Sequence, residues 1–291
     1  MRRLSVCSRI STGLGLASNT YKQVIQSGEM TLKEMIAWAA GRGFSWVEVR
    51  DANVDMTQEA LEDIRKFAEK MAVRIHYSWD NQDVLKEDEK FYKGMENAAI
   101  FGKGTCCRVL IAPNTVKGKD GYTKDEMERI LPVLNKYIKK SEEMGIHLCF
   151  ENAMEPIFGD GTRYFGMNEL MERCLGMCVT FDAANATNHT TCVNPTEDEL
   201  LEYYEKFRDR IFYFHLKVTR NHKLLDTVEA DGDFHIEKLF EAFSENDGMM
   251  ICLEIPQQPD LVRMTVAVES SLKVLKELQK ARQSGERSGL E

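Results

Sequence analysis

The chain has 291 residues and a formal charge of -9. That acidic balance argues against a broad phosphate-binding surface, so nucleic acid is not an expected partner. No apolar run reaches the ~18 residues that span a bilayer, so a membrane is not expected either. Eight cysteines without a Cys-x-x-Cys pair, behind an amino end (MRRLSVCSRI) too short and polar for a secretory segment, point to free thiols in a reducing cytoplasm.

Apolar runs and amphipathic segments alternate along the chain. A first strand is expected near Leu4 to Ile10. The STGLGLASN stretch after it holds Gly13 and Gly15 but no third glycine in register, and reads as a loop rather than a nucleotide-binding turn. Thr31 with Glu34 has the spacing of a capping box and opens a helix that ends at Gly41 or Gly43. SWVEVRD is the second strand, with Val47 and Val49 on one face and Glu48 and Arg50 on the other. A helix over Thr57 to Met71 follows, with Leu61, Ile64 and Ala68 at helical spacing.

VRIHYSW is the third strand, and its parity turns His76 and Ser78 away from Ile75 and Tyr77. A polar helix over Lys86 to Phe101 leads to the fourth strand, CCRVLIAPN, which Pro113 ends. Thr123 with Glu126 opens a long helix to about Met144, with a kink or break expected at Pro132.

Four strands then share one design. IHLCFEN, CVTFDAAN, IFYFHLK and MICLEIP are short apolar runs, each reaching a residue that can bind a metal: Glu151, Asp182, His215 and Glu254. Residues two apart share a face of a strand. Leu148 and Phe150, Val179 and Phe181, Phe212 and Phe214, and Ile251 and Leu253 therefore form the apolar faces, and the four donor residues end the opposite ones. Helices are expected near Asn168 to Leu175, after Pro195 with Thr196 and Glu199 as a third capping box, after Asp233 as N-cap, and from Leu261 to Arg282. Eight strands alternating with about eight helices make a closed (β/α)8 barrel, an α/β fold of the TIM type, over residues 1–282. The residues 283–291 read as a polar tail.

Two glutamates, an aspartate and one histidine form an oxygen-rich divalent site. Such a set suits Mn²⁺, Co²⁺, Mg²⁺ or Fe²⁺ at least as well as Zn²⁺. At the carboxyl end of a barrel this is the position for catalysis. A carbonyl and its neighbouring hydroxyl on such an ion acidify the proton between them. Glu151 and Glu254, from the fifth and eighth strands, could then remove and return that proton. His76 could meet substrate or be a buried strand histidine, and Glu48 could be a ligand or the partner of Arg50. Asn114, Asn152, Asn185, Lys217 and Arg220 are candidates to hold sugar oxygens, and Trp79 and Phe158 to cover an apolar sugar face.

Glu151 in CFEN, Asp182 in TFDAAN, His215 in FHLK and Glu254 in CLEIP resemble the metal positions of the xylose isomerase-like barrel superfamily, in its sugar phosphate isomerase/epimerase branch. Glu48 in GFSWVEV, His76 in RIHYSW, Lys217 after the strand-seven histidine and GDFHIEKLFEAF support that resemblance, which covers nearly the whole chain. It implies one divalent ion, Mn²⁺ or Co²⁺ above others, a small carbohydrate substrate, and epimerisation or isomerisation through an enediolate. One departure stands out. Where many members carry Asp-x-x-His, this chain has Asp182 followed by Asn185, with His189 out of register. That favours a lyase as the alternative, of the keto-inositol dehydratase or 3-keto-glycoside eliminase type. An abasic-site endonuclease, which needs several histidines, and a silent sugar-binding barrel are more remote readings. A homo-oligomer is compatible with the sequence.

Overall fold

The computed structural model describes residues 13–82, 84–85, 88–111, 123–152, 166–187, 194–242 and 250–284. Its strands are β1 (Gly13–Ala17), β2 (Trp46–Arg50), β3 (Arg74–Gln82), β4 (Cys106–Ile111), β5 (His147–Glu151), β6 (Cys178–Asp182), β7 (Ile211–Leu216), β8 (Thr219–Arg220), β9 (Lys223–Leu224) and β10 (Met250–Leu253). Eight of them close a barrel in the order β1-β10-β7-β6-β5-β4-β3-β2, every pair parallel. The two-residue strands β8 and β9 form an antiparallel hairpin after β7.

The helices are α1 (Lys22–Gln26), α2 (Leu32–Gly41), α3 (Gln58–Lys70), α4 (Asp88–Ile100), α5 (Lys124–Met144), α6 (Met167–Arg173), α7 (Ala183–Thr187), α8 (Glu197–Phe207), α9 (Ile236–Ala242) and α10 (Leu261–Ser284). The three capping boxes are present at Thr31, Thr123 and Thr196, each with reciprocal bonds to a glutamate three residues on. They satisfy donors that a helix start leaves unpaired. Pro132 does not break α5, which runs uninterrupted past it. The buried stripe Met127, Ile130, Leu131, Leu134, Tyr137 and Ile138 holds the helix to the barrel and offsets the lost backbone bond. Among the described residues no helix is long and apolar enough to cross a membrane.

The expected first strand, Leu4 to Ile10, lies outside the described residues. The stretch read as a loop carries β1 instead. Leu14 and Leu16 face the outer core, so Gly15 faces in, where a Cβ would overlap the Trp46 ring. The missing side chain, which hides the strand in the sequence, is what lets Trp46 fill the barrel.

Strand parity divides the core into two layers. Leu148, Phe150, Val179, Phe181, Phe214, Ile251 and Leu253 pack between barrel and helices. Ala17, Trp46, Cys106, Cys149, Phe212, Tyr213, Met250 and Cys252 fill the inside. Phe212 departs from its expected face. The β6–β7 register shifts between Val179↔Ile211 and Thr180↔Tyr213, and that irregularity lets Phe212 join the inner cluster, 4.8 Å from His147 and 5.6 Å from His76 between ring centroids. A bulge of this kind breaks the two-residue period locally.

Candidate metal centre

Trp46, Cys106, Cys149, Tyr213 and Cys252 each stand two residues before Glu48, Arg108, Glu151, His215 and Glu254. A step of two keeps the face and advances toward the carboxyl end of the strand. A charged layer therefore lies on top of the aromatic and thiol floor. In that layer Glu151, Asp182, His215 and Glu254 each offer one donor atom, and these atoms lie within 4.8 Å of one another. All four residues are buried.

Every one of the four has one donor atom held from outside and one turned inward. Glu254 Oε1 accepts from Asn19 Nδ2 at 2.9 Å and from Arg50 at 2.9 Å. Asp182 Oδ1 accepts the Asn185 backbone N–H at 2.9 Å. Glu151 Oε2 pairs with Arg108. His215 Nε2 meets Glu48 Oε2 at 2.7 Å. The atoms left facing the cluster are Glu151 Oε1, 2.6 Å from His215 Nδ1, Glu254 Oε2, 3.3 Å from the same nitrogen, and Asp182 Oδ2. Three oxygens and one imidazole nitrogen, each ligand oriented by a second polar contact, fit a hard-to-borderline divalent ion.

Four carboxylates, Glu48, Glu151, Asp182 and Glu254, face three cationic side chains, Arg50, Arg108 and Lys217, and the imidazole of His215. At Glu48, His215, Lys217 and Glu254 burial works against the charge, and the partners win. Burial alone would raise the Glu254 carboxyl, but Lys217, His215, Arg50 and Arg108 hold it well below the usual carboxylate range. Glu48 is likewise held low, against burial, by His215, Arg50 and Arg108. Burial would lower His215, but Glu48 and Glu254 push it up to about 10. Asp182 and Glu254 raise Lys217, against burial, to about 12. A second group, Glu48, His215 and Cys252, lies on the far side of the His215 ring. Its thiol is pushed up to about 12, chiefly by burial, and Glu48 already accepts from His215, Tyr213 and Arg50. That group reads as a support for His215 rather than a second ion site.

A family profile described as a xylose isomerase-like TIM barrel matches residues 36–278. The chain belongs to that family. No curated protein matches its sequence. Among solved structures, a sugar phosphate isomerase/epimerase from Parabacteroides distasonis is 15% identical, with a TM-score of 0.64 over 91% of this chain and 98% of its own. An L-ribulose 3-epimerase is 12% identical, with a TM-score of 0.63 over 95% and 97%. A D-allulose 3-epimerase from Methylomonas sp., in complex with D-allulose, is 12% identical, with a TM-score of 0.60 over 94% and 99%. At such identities these likenesses speak to the fold.

The other candidate residues of this xylose isomerase-like barrel fall in different places. Asn185 is the third residue of α7, beside the cluster, its amide 3.5 Å from Glu151 Oε1. Lys217 lies within it, 2.8 Å from Asp182 Oδ2 and 2.9 Å from Glu254 Oε2. Arg220 does not join them: it is exposed on the β8–β9 hairpin and pairs with Glu229 and Asp231. His76 is wholly buried in the floor, and its Nδ1 accepts the Cys106 backbone N–H at 2.9 Å, so its contacts are those of a strand histidine. Asn152 is used up bracing β6, with both ends of its amide on the Asp182 backbone at 2.8 Å. Trp79 packs in the outer core against Phe91. Asn114, Phe158 and His189 lie outside the described residues.

Asp233 is not the cap of α9. Asn221 and His222 both take left-handed backbone, with φ of 51° and 59°, and aim consecutive N–H groups at the Asp233 carboxylate, at 2.8 and 2.7 Å. Both carboxylate oxygens are taken by these bonds, and α9 begins three residues further on, at Ile236. Sequence reasoning also passed over Arg108, Arg50 and Asn19 as parts of the centre. The parity that turned the ligands inward applies equally to Arg108, between the outward Cys107 and Val109.

Proposed function

We propose that the protein is a divalent-metal-dependent sugar isomerase or epimerase acting on a ketose or related keto-polyol. The observation that carries this reading is the convergence of four donor atoms, each with its second atom held by another residue. Glu151, Asp182, His215 and Glu254 would hold the ion, with Mn²⁺ ranked first for an oxygen-rich set with one imidazole. When bound, such an ion supplies Lewis-acid polarisation of a carbonyl and its neighbouring hydroxyl. The chain supplies the rest. One of Glu151 and Glu254 takes the proton beside the carbonyl, and one returns it at the neighbouring carbon or on the opposite face. Arg108 fixes the first carboxylate, and Arg50 with Asn19 the second. Asn185 and Lys217 stand where sugar oxygens would be held. The named relatives, which act on ribulose and allulose, support a ketose as substrate class.

Asn185 favours elimination as a second reading. Beside Glu151 it offers an amide, which binds a hydroxyl but cannot carry a proton as histidine does. One experiment separates the two. The Mn²⁺-loaded protein is incubated with a panel of ketoses and keto-inositols in D₂O and followed by NMR. A carbon-bound deuterium in an isomer or epimer supports the first reading, and a dehydrated product the second. Absence of both, with metal bound, contradicts the proposal. Glu254→Gln is expected to lower turnover by about 10²–10⁴-fold, the size of a lost general acid–base group. Near-normal turnover would remove Glu254 from the role.

A further inference from the structure

The centre already contains a cation of its own. Lys217 lies two residues beyond His215, and its ammonium forms an ion pair with Asp182 Oδ2 and donates to Glu254 Oε2. These are the inward oxygens, the same ones a metal ion would use. Arg50 and Arg108 make the contrast. They hold Glu254 Oε1 and Glu151 Oε2, so their charge braces the ligands without occupying a coordination direction. Exposure follows the same division: the Lys217 side chain is 13% exposed, against 6% for Arg50 and 2% for Arg108. A flexible four-carbon stem can leave such a position, and a buried guanidinium in a fixed fork cannot do so cheaply.

We propose that Lys217 is an internal competitor for the divalent ion, so that metal uptake requires its ammonium to give up Asp182 and Glu254. The inference rests on the metal reading above. Like charges that draw on the same two carboxylate oxygens at a largely buried site repel strongly. Lys217 thereby keeps the carboxylates balanced when no ion is bound, at the cost of weaker metal affinity. A displaced ammonium needs a new partner, and a negatively charged substrate oxygen provides one. Metal and such a substrate therefore raise each other's affinity by the same factor.

The test is calorimetric titration of Mn²⁺ into the metal-free wild-type chain, Lys217→Met and Lys217→Gln at one pH, with thermal unfolding of each protein with and without Mn²⁺. Both variants should bind Mn²⁺ about tenfold or more tightly than wild type, because the like charge is gone. Metal-free Lys217→Met should melt below wild type, and its Tm should rise further on adding Mn²⁺. Equal or weaker binding by both variants, with wild type still binding, would overturn the competition and leave the metal site standing. No binding by any of the three at millimolar Mn²⁺ would overturn both. Lys217→Gln keeps a hydrogen-bonding end and guards against a misfolded methionine variant.

Discussion

Two histidines inside this barrel are equally hidden from water and are driven in opposite directions. His76, in the floor, is pulled down to about 3 by burial, with the Arg74 charge acting in the same sense. His215, in the layer above, is pushed up to about 10 although burial opposes it, because Glu48 and Glu254 face it. The rings around His76 belong to Trp46, Phe212 and Tyr213. The atoms around His215 are carboxylate oxygens. Burial alone therefore does not decide the charge of an interior histidine. The step of two along each strand, from floor to mouth, exchanges an apolar surrounding for an ionic one.

Removing a cation from the upper layer should have the larger consequence. Arg108→Met leaves Glu151 buried without its guanidinium, and loss of one partner of a buried pair costs about 3–5 kcal/mol. Urea unfolding would show it, and a loss under ~1 kcal/mol would mean that solvent reaches Glu151 freely. In the floor the effect depends on pH. The folded pKa of His76 lies below its ordinary value of 6.5, so between them the unfolded chain binds a proton that the folded chain refuses. Stability is then full above pH 6.5 and falls by about 1.4 kcal/mol per unit as the pH drops toward 3. His76→Asn, whose carbonyl can still accept the Cys106 N–H, should flatten that acid limb relative to wild type. An unchanged limb would show that His76 is protonated in the fold. Gly15→Ala tests the floor's packing alone. Its methyl meets the Trp46 ring, and overpacking of this kind costs about 1–3 kcal/mol. A neutral result would mean that Trp46 has room to move.

Sequence periodicity made the fold and the four donor residues legible, because period-two strands state their inward face and Glu, Asp and His stand out on it. Where the period is broken the reading failed. Phe212 sits at a register shift, and β1 hides behind Gly15, whose purpose, clearing space for Trp46, is visible only in three dimensions. The charge partners were readable in principle, since Arg50 and Arg108 obey the same parity. Their importance was not, because Arg50 reaches Glu254 across 204 positions of sequence and Asn19 reaches it across 235. The two bonds that claim Asp233 depend on left-handed backbone at Asn221 and His222, which these residue types tolerate better than most but do not by themselves dictate.

The account depends on a single ion position framed by the upper layer. Anomalous diffraction from crystals soaked in Mn²⁺ tests it most directly. The expected result is one strong peak per chain, bonded to Glu151, Asp182, the Nδ1 of His215 and Glu254. A peak elsewhere, or none at saturating Mn²⁺ with the four side chains placed as described, would contradict it.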